Sequence, residues 1–253
     1  MKIPLSTGPL LAITRREFLS LFLSPLAWTV LAVVQFIVAW SFLVQIDVFS
    51  GLESRLAALE APPGVTDLVV TPMLSNTATV LLMVVPLLTM RLLAGEHRGG
   101  TIQLLRAAPI SSRDIVLGKF IGLYGFLLLL LAMLVLMPLS LLFGTDLDLG
   151  KLASGTLGLA LLLAMLSSLG LYLSSLTQQP IVAAILTFGI FLLLWVVDTG
   201  SGDAATAFLS VTSHLKSMMR GVFSTADIGY FVITTLLFLL LAMQRLDSER
   251  LQR

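Results

Sequence analysis

The sequence predicts an all-α membrane protein, and three observations carry that prediction. Of its 253 residues 57% are hydrophobic and 11% charged, with a mean hydropathy of +1.03. A soluble fold cannot keep so much apolar surface from water. The charges are also confined, leaving uncharged runs of 29 residues between Glu17 and Asp47, 23 between Asp67 and Arg91, 26 between Lys119 and Asp146, 46 between Lys151 and Asp198, and 17 between Asp227 and Arg245. Each is about the length that crosses a bilayer, or twice it. Finally, barrel-style alternation is missing, and only helices or closed barrels satisfy the backbone in lipid.

Taken in order, Gly8 to Leu23 mixes Arg15, Arg16 and Glu17 with Leu10, Leu11, Ile13, Phe18, Leu19, Phe22 and Leu23 at spacings near three and four. That suits an amphipathic helix lying at the membrane surface. Pro25 marks the bend into a first span, 24–46. The run begins too far from the amino terminus, and is too long, for a cleaved signal segment, so it is expected to be retained. In the loop from Asp47 to Thr71, Leu52 to Glu60 can form two turns of amphipathic helix that Ala61-Pro62-Pro63-Gly64 ends.

The second span is expected over 73–94 and the third over 120–143. Between Lys151 and Asp198 the polar patch Thr177-Gln178-Gln179-Pro180 divides the long run into spans 152–176 and 180–198, joined by a tight turn. A sixth span covers 228–245, and the whole chain, 1–253, reads as one transmembrane domain. Basic residues near the spans set the orientation. With the amino terminus inside, 11 of the 15 Lys and Arg fall on the cytoplasmic side, leaving only Arg55, Lys151, Lys216 and Arg220 outside. Both termini are then cytoplasmic, and the absence of an organellar presequence points to a bacterial cytoplasmic membrane.

Little chemistry is encoded. There is no cysteine, no His-Glu-x-x-His and no Gly-x-Ser-x-Gly, and the two histidines, His97 and His214, sit in separate loops. No metal, cofactor or catalytic centre is expected in this chain, and a net charge of +1 argues against nucleic acid. The spans carry no Asp, Glu, Lys or Arg away from their ends, which counts against a proton relay. Gly144-Thr-Asp-Leu-Asp-Leu-Gly150-Lys151 superficially resembles a phosphate loop, but its glycines are one residue too far apart and Leu152 stands where magnesium needs a hydroxyl. Any nucleotide chemistry must come from another chain.

The informative segment is the cytoplasmic loop from Gly95 to Lys119. Thr101 can cap a short helix whose Ile102, Leu104 and Leu105 offer an apolar edge and which Pro109 ends. Ser111 or Ser112 can cap a second helix running through Ile115, Val116 and Phe120 into the third span. A short helix with an apolar face and a basic rim fits a groove on a partner protein, or equally rests on lipid.

The stretch Glu96-x-x-x-Gly100-Thr101-x-x-Leu104-Leu105-x-x-x-Pro109-Ile110-Ser111, followed by Val116-x-Gly118-Lys119-Phe120, closely resembles the loop after the second span in type-2 ABC transporter permeases. Within that family the chain looks most like the gliding-motility-associated permeases, through Ser213-His214-x-x-x-x-x-x-Gly221, Asp227 and Tyr230-Phe231. The resemblance implies a permease subunit with six spans, with export as its expected direction, and separate ABC ATPase subunits that bind ATP and magnesium. It implies a coupling helix at about Gly100 to Ala108, with Glu96 orienting the mouth of the loop by pairing with Arg98 or a surface-helix arginine. Leu104 and Leu105 become apolar anchors and Arg106 a rim contact. It implies a second permease copy or a different membrane subunit, because six uncharged spans are few for enclosing a polar path. It also implies short helices between the fifth and sixth spans that cap the path in the outer leaflet, with His214, Gly221 and Asp227 among their residues. Read on their own, His214, Lys216 and Arg220 form a solvated face, or else meet anionic lipid head groups or substrate. Gly118-x-x-x-Gly122 and Ala164, Ser167, Ser168 and Gly170 permit close helix packing. The competing reading is a structural or assembly membrane protein that transmits ATPase motion to an envelope partner without moving a substrate.

Overall fold

The computed structural model describes residues 8–56, 63–98, 111–196 and 210–251. Among them there is no strand. The helices are α1 (Gly8–Leu23), α2 (Pro25–Leu56), a π turn (Thr66–Val70) that runs straight into α3 (Thr71–Thr89), α4 (Ala94–Arg98), α5 (Ser112–Leu139) with a 3-10 turn (Ser140–Phe143), α6 (Leu149–Leu176), α7 (Pro180–Val196), α8 (Val211–Met219) and α9 (Thr225–Leu251). Five stretches are long and apolar enough to cross a membrane: Pro25–Leu52, Thr66–Glu96, Ser112–Phe143, Leu149–Leu176 and Thr225–Ser248. The segment expected as a further span, 180–198, is an apolar helix over Pro180–Val196, and 197–198 lie outside the described residues.

Helix α1 covers Gly8–Leu23 among the described residues, and the bend falls at Ser24, where the chain turns before Pro25. Trp28 Nε1 donates to the Phe22 carbonyl across this corner (2.7 Å), and the Phe22 and Trp28 rings meet edge to face. Helix α2 runs past its expected end at residue 46 as far as Leu56, so Leu52 to Leu56 continue it instead of opening a separate helix, and the remainder of the expected Leu52 to Glu60 helix lies outside the described residues. The second span starts earlier than residue 73. Pro72 has no N–H to offer the Leu68 carbonyl, so a standard α turn cannot close there, and the chain takes a wider π turn in which Thr71 N–H and Oγ1 both donate to the Thr66 carbonyl. The third span likewise begins at Ser112, with Ser111 as its cap: Oγ accepts from Asp114 N–H (3.1 Å) and donates to Asp114 Oδ2 (2.8 Å).

Helix α6 is the hub. In its most apolar window 72% of residues are buried, against 22% in α2 and α9. It contacts α3, α5, α7, α8 and α9. Small residues make this possible: Gly170 lets α3 approach until a Cβ there would lie 2.4 Å from Thr89 Oγ1, and at Gly155 it would meet Leu74 Cδ1 at 2.7 Å. Ser154, Ser167, Ser168 and Ser174 are fully buried beside these crossings.

Candidate functional site

Two constellations tie the helices together at opposite ends of the bundle. At the end carrying α1, the surface helix lies against α5, and glycines set the distance. A Cβ on Gly118 would meet Ile13 Cγ2 at 2.7 Å, and one on Gly122 would meet Glu17 Cβ at 2.8 Å and the Thr14 carbonyl at 3.0 Å. Gly118-x-x-x-Gly122 is therefore a seat for α1. Phe18 and Phe22 continue the contact, Phe22 packing edge to face on the buried Phe126.

That close approach places Lys119, two turns inside α5, between two acids from distant parts of the chain. Its Nζ lies 3.2 Å from Glu17 Oε2 on α1 and 2.8 Å from Glu96 Oε1 on α4. The lysine side chain is 3% exposed, whereas the glutamates are 18% and 16% exposed. Burying an ammonium is costly unless it is paired, and here two carboxylates compensate it. Glu96 Oε2 is buried without a hydrogen-bond partner. Glu96 pairs with Lys119, and of the partners expected for it Arg15 and Arg16 lie exposed on the other face of α1, while the Arg98 side chain lies outside what is described.

A second clasp adjoins the first. Helix α3, weakened at Pro86, ends at Thr89, and the chain bends before α4. The bend is held by Ser174 of α6, whose Oγ accepts from Leu93 N–H (3.1 Å) and Ala94 N–H (3.0 Å) and donates to the Met90 carbonyl (3.2 Å). These amides are the orphan donors of a helix start. Ser174 thus fixes the direction in which α4 leads into the loop. Gly100, Thr101, Leu104, Leu105, Arg106 and Pro109, the expected coupling residues, lie outside the described residues.

At the opposite end, α8 packs on the first turns of α6. Ser154 Oγ donates to the Met218 carbonyl (2.7 Å), and Gly158 admits Met218 and Leu215. Thr212 Oγ1 donates to the Trp195 carbonyl (3.4 Å), joining α8 to the last turn of α7. Lys151 pairs with both Asp67 oxygens (2.9 and 3.1 Å), and Asp148, which caps α6 through Lys151 N–H, donates its own N–H to Thr66 Oγ1. The glycine loop before α6 is thus a helix cap.

His214 and Asp227, thirteen residues apart, meet here: Nδ1 and Oδ1 are 2.6 Å apart, and the imidazole stacks on Tyr230 with centroids separated by 4.3 Å. The reading of His214 as part of a solvated face is corrected, since its side chain is 12% exposed; Lys216 and Arg220 are exposed. Gly221 closes the turn after α8 with φ +85°, a conformation that favours glycine. Sequence reasoning named Glu17, Glu96, Gly118, Gly122, His214, Gly221 and Asp227 for these constellations, but gave no role to Lys119, Ser154, Gly158, Ser174, Thr212 or Tyr230. Lys119 and Tyr230 stood in the quoted motifs, and a lysine two turns inside an apolar helix was the available signal.

No ion-binding cluster of His, Cys, Asp and Glu occurs among the described residues. No curated protein matches the chain. The sequence model described as ABC-2 family transporter protein matches residues 11–220, from within the surface helix to the end of the α8 segment. With that match extending over most of its length, the chain belongs to the ABC-2 transporter family, the membrane permease component of ABC transporters, which is generally not itself catalytic.

Proposed function

We propose that this chain is the export permease of an ATP-binding cassette transporter, moved by separate ATPase subunits that hold ATP and magnesium and dock on the loop between α4 and α5. The observation that carries the reading is the ion-paired junction at Lys119. The loop leaves the membrane domain through Glu96 and returns through Ser111, and its first stem is tied by Lys119 to both α5 and α1. A push on the loop therefore reaches the surface helix and the third span together. Leu104 and Leu105 supply the apolar anchors, Arg106 a rim contact, and Gly100, Thr101 and Pro109 shape the coupling helix.

The α1 end and both termini are assigned to the cytoplasm of a bacterium, as the basic residues favour. Helix α7 counts as the fifth of six spans: its hydrogen bond from Thr212 to the Trp195 carbonyl supports its reaching the α8 layer from the turn at Thr177. α8, with His214, Gly221 and Asp227, caps the outer side. Pairing with a second permease copy or a different membrane subunit is supported by the exposed face of α3, where Ser75, Asn76 and Thr79 lie within a span. Asn76 donates to Ser41 Oγ (2.8 Å), which satisfies one of its amide's hydrogen-bonding groups, and the remaining ones still cost free energy against acyl chains. A polar path between subunits suits that face better than acyl chains.

The test is purification of the tagged chain in mild detergent, with mass spectrometry of its partners and an ATPase assay. A stoichiometric nucleotide-binding subunit, lost or uncoupled in the Leu104→Asp, Leu105→Asp variant, is expected. Wild-type recovery of the ATPase with undiminished transport-coupled hydrolysis in that variant overturns the docking assignment.

A further inference from the structure

Helix α1 has a second face that its seat on α5 does not use. Ile13, Glu17, Phe18 and Phe22 meet α5, and Glu17, the helix's own acid, is turned inward to Lys119. The other side exposes Arg15 and Arg16 together with Leu19 and Leu23, which are 46% and 85% exposed. At about 100° per residue, both leucines fall in the arc between the two arginines. Among the described residues neither guanidinium has an ion pair or a hydrogen bond. Two cations thus flank an apolar strip, and the protein supplies no counter-charge.

Depth orders these groups. The contacts advance together along both helices: Gly118 meets Ile13, Gly122 meets Glu17, and Phe126 meets Phe22. α1 therefore runs in the same sense as α5, whose polar cap at Ser111 precedes the uncharged run after Lys119. Its leucine end is the deeper one. The corner that follows carries Trp28, 58% exposed with its indole N–H on the Phe22 carbonyl, and exposed tryptophans of this kind sit at the headgroup level of a bilayer. Leu23 adjoins that corner, and Arg15 and Arg16 lie about 10–12 Å along the axis on the water side, where arginine stems snorkel to phosphates. An acidic peptide would neutralise the arginines but leave the leucines at chain depth uncovered, whereas a phospholipid covers both. A zwitterionic headgroup brings its own cation against the guanidiniums, so the matching headgroup is one of net negative charge.

We infer that this face of α1 is a binding site for an anionic glycerophospholipid of the leaflet at the α1 end, its phosphate held by Arg15 and Arg16 and an acyl chain lying on Leu19 and Leu23. The assignment is independent of where the ATPase docks. The test uses the full chain, which has no cysteine of its own, with a fluorophore on Ser20→Cys, an exposed position one turn from both Arg16 and Leu23. A second labelled chain carries it on Leu240→Cys, 56% exposed on α9. Nanodiscs contain phosphatidylcholine with a minor share of phosphatidylglycerol, and one or the other lipid bears a quenching spin label on its acyl chain. At position 20 phosphatidylglycerol is expected to quench about five- to thirtyfold more per molecule than phosphatidylcholine, the worth of one to two basic residues at an anionic surface. At position 240 the two lipids should quench alike. Arg15→Gln with Arg16→Gln brings the ratio at position 20 close to unity while the Tm stays that of the parent, and the paired lysine substitutions keep most of the preference. Salt at about 1 M, where the Debye length is about 3 Å, lowers the ratio in the unaltered helix and decides the matter if the glutamine variant is unstable. Equal quenching by the two lipids at position 20, a preference that survives the glutamines, an equal preference at position 240, or disulfide cross-linking of unlabelled Ser20→Cys chains to one another overturns the assignment.

Discussion

Replacing Lys119 with Met keeps most of the aliphatic stem and removes the ammonium that Glu17 and Glu96 both contact. Removing one partner of a buried ion pair costs about 3–5 kcal/mol, because the remaining charge stays desolvated. Glu17 and Glu96 are 18% and 16% exposed and retain some water, so the lower end applies, about 3 kcal/mol. For a chain of this size that corresponds to a fall in Tm of about 6–12 °C. The decisive comparison is the neutral triple variant Glu17→Gln, Glu96→Gln, Lys119→Met, which leaves no unpaired charge. It should recover to within about 1 kcal/mol of the parent, since replacing a whole buried ion cluster is often neutral. Thermal unfolding followed by tryptophan fluorescence is the assay; Trp28, bonded to the Phe22 carbonyl at the corner between α1 and α2, lies near the perturbation. If Lys119→Met unfolds within about 2 °C of the parent, or the triple variant falls as far as the single one, the junction is not held by charge.

Three further outcomes are expected. Gly122→Leu pushes α1 from its seat, at a cost of about 1–3 kcal/mol for overpacking, whereas Gly189→Ala, with nothing within 4 Å of the added Cβ, is neutral or slightly stabilising; a cysteine pair bridging α1 and α5, introduced into this naturally cysteine-free chain, should cross-link in the second and not the first. Ser174→Ala leaves the Leu93 and Ala94 amides without their acceptor, about 1–3 kcal/mol for each buried donor, and hydrogen exchange at these two amides should accelerate while that of the α6 core stays slow. Asp227→Ala strips His214 of its carboxylate and should loosen α8 from α9, read as faster labelling of a cysteine at position 215, with Asp227→Asn intermediate because it keeps a hydrogen-bond acceptor.

Much of the helical plan was legible because membrane spans announce themselves through local composition. The break at Ser24–Pro25, the turn at Thr177 to Pro180 and the Ser111 cap all rest on neighbouring residues, and each lies where expected. The early start of the second span was not legible, since the π turn depends on what Pro72 withholds from Leu68, not on hydropathy. That Lys119 pairs with Glu96 and Glu17 was not foreseen, for a different reason. Lys119 and Glu17 are separated by 102 residues, and nothing in a single sequence marks that pairing; the nearby arginines offered a simpler choice. Gly118 and Gly122 read as packing glycines, but which helix they receive follows only from the fold.

The seating of α1 on α5, and not on the α2 that follows it in the chain, bears on how the protein is made. At about 5–20 residues per second, Lys119 emerges roughly 5–20 s after Glu17. During that interval the first helix has no glycine seat and no ammonium to receive its carboxylate. Its docking must therefore be a late event that waits for the third span to insert, and a chain stalled before that point carries a loose amino-terminal arm. A protease that surveys newly inserted proteins would find in this arm a simple mark separating unfinished molecules from completed ones.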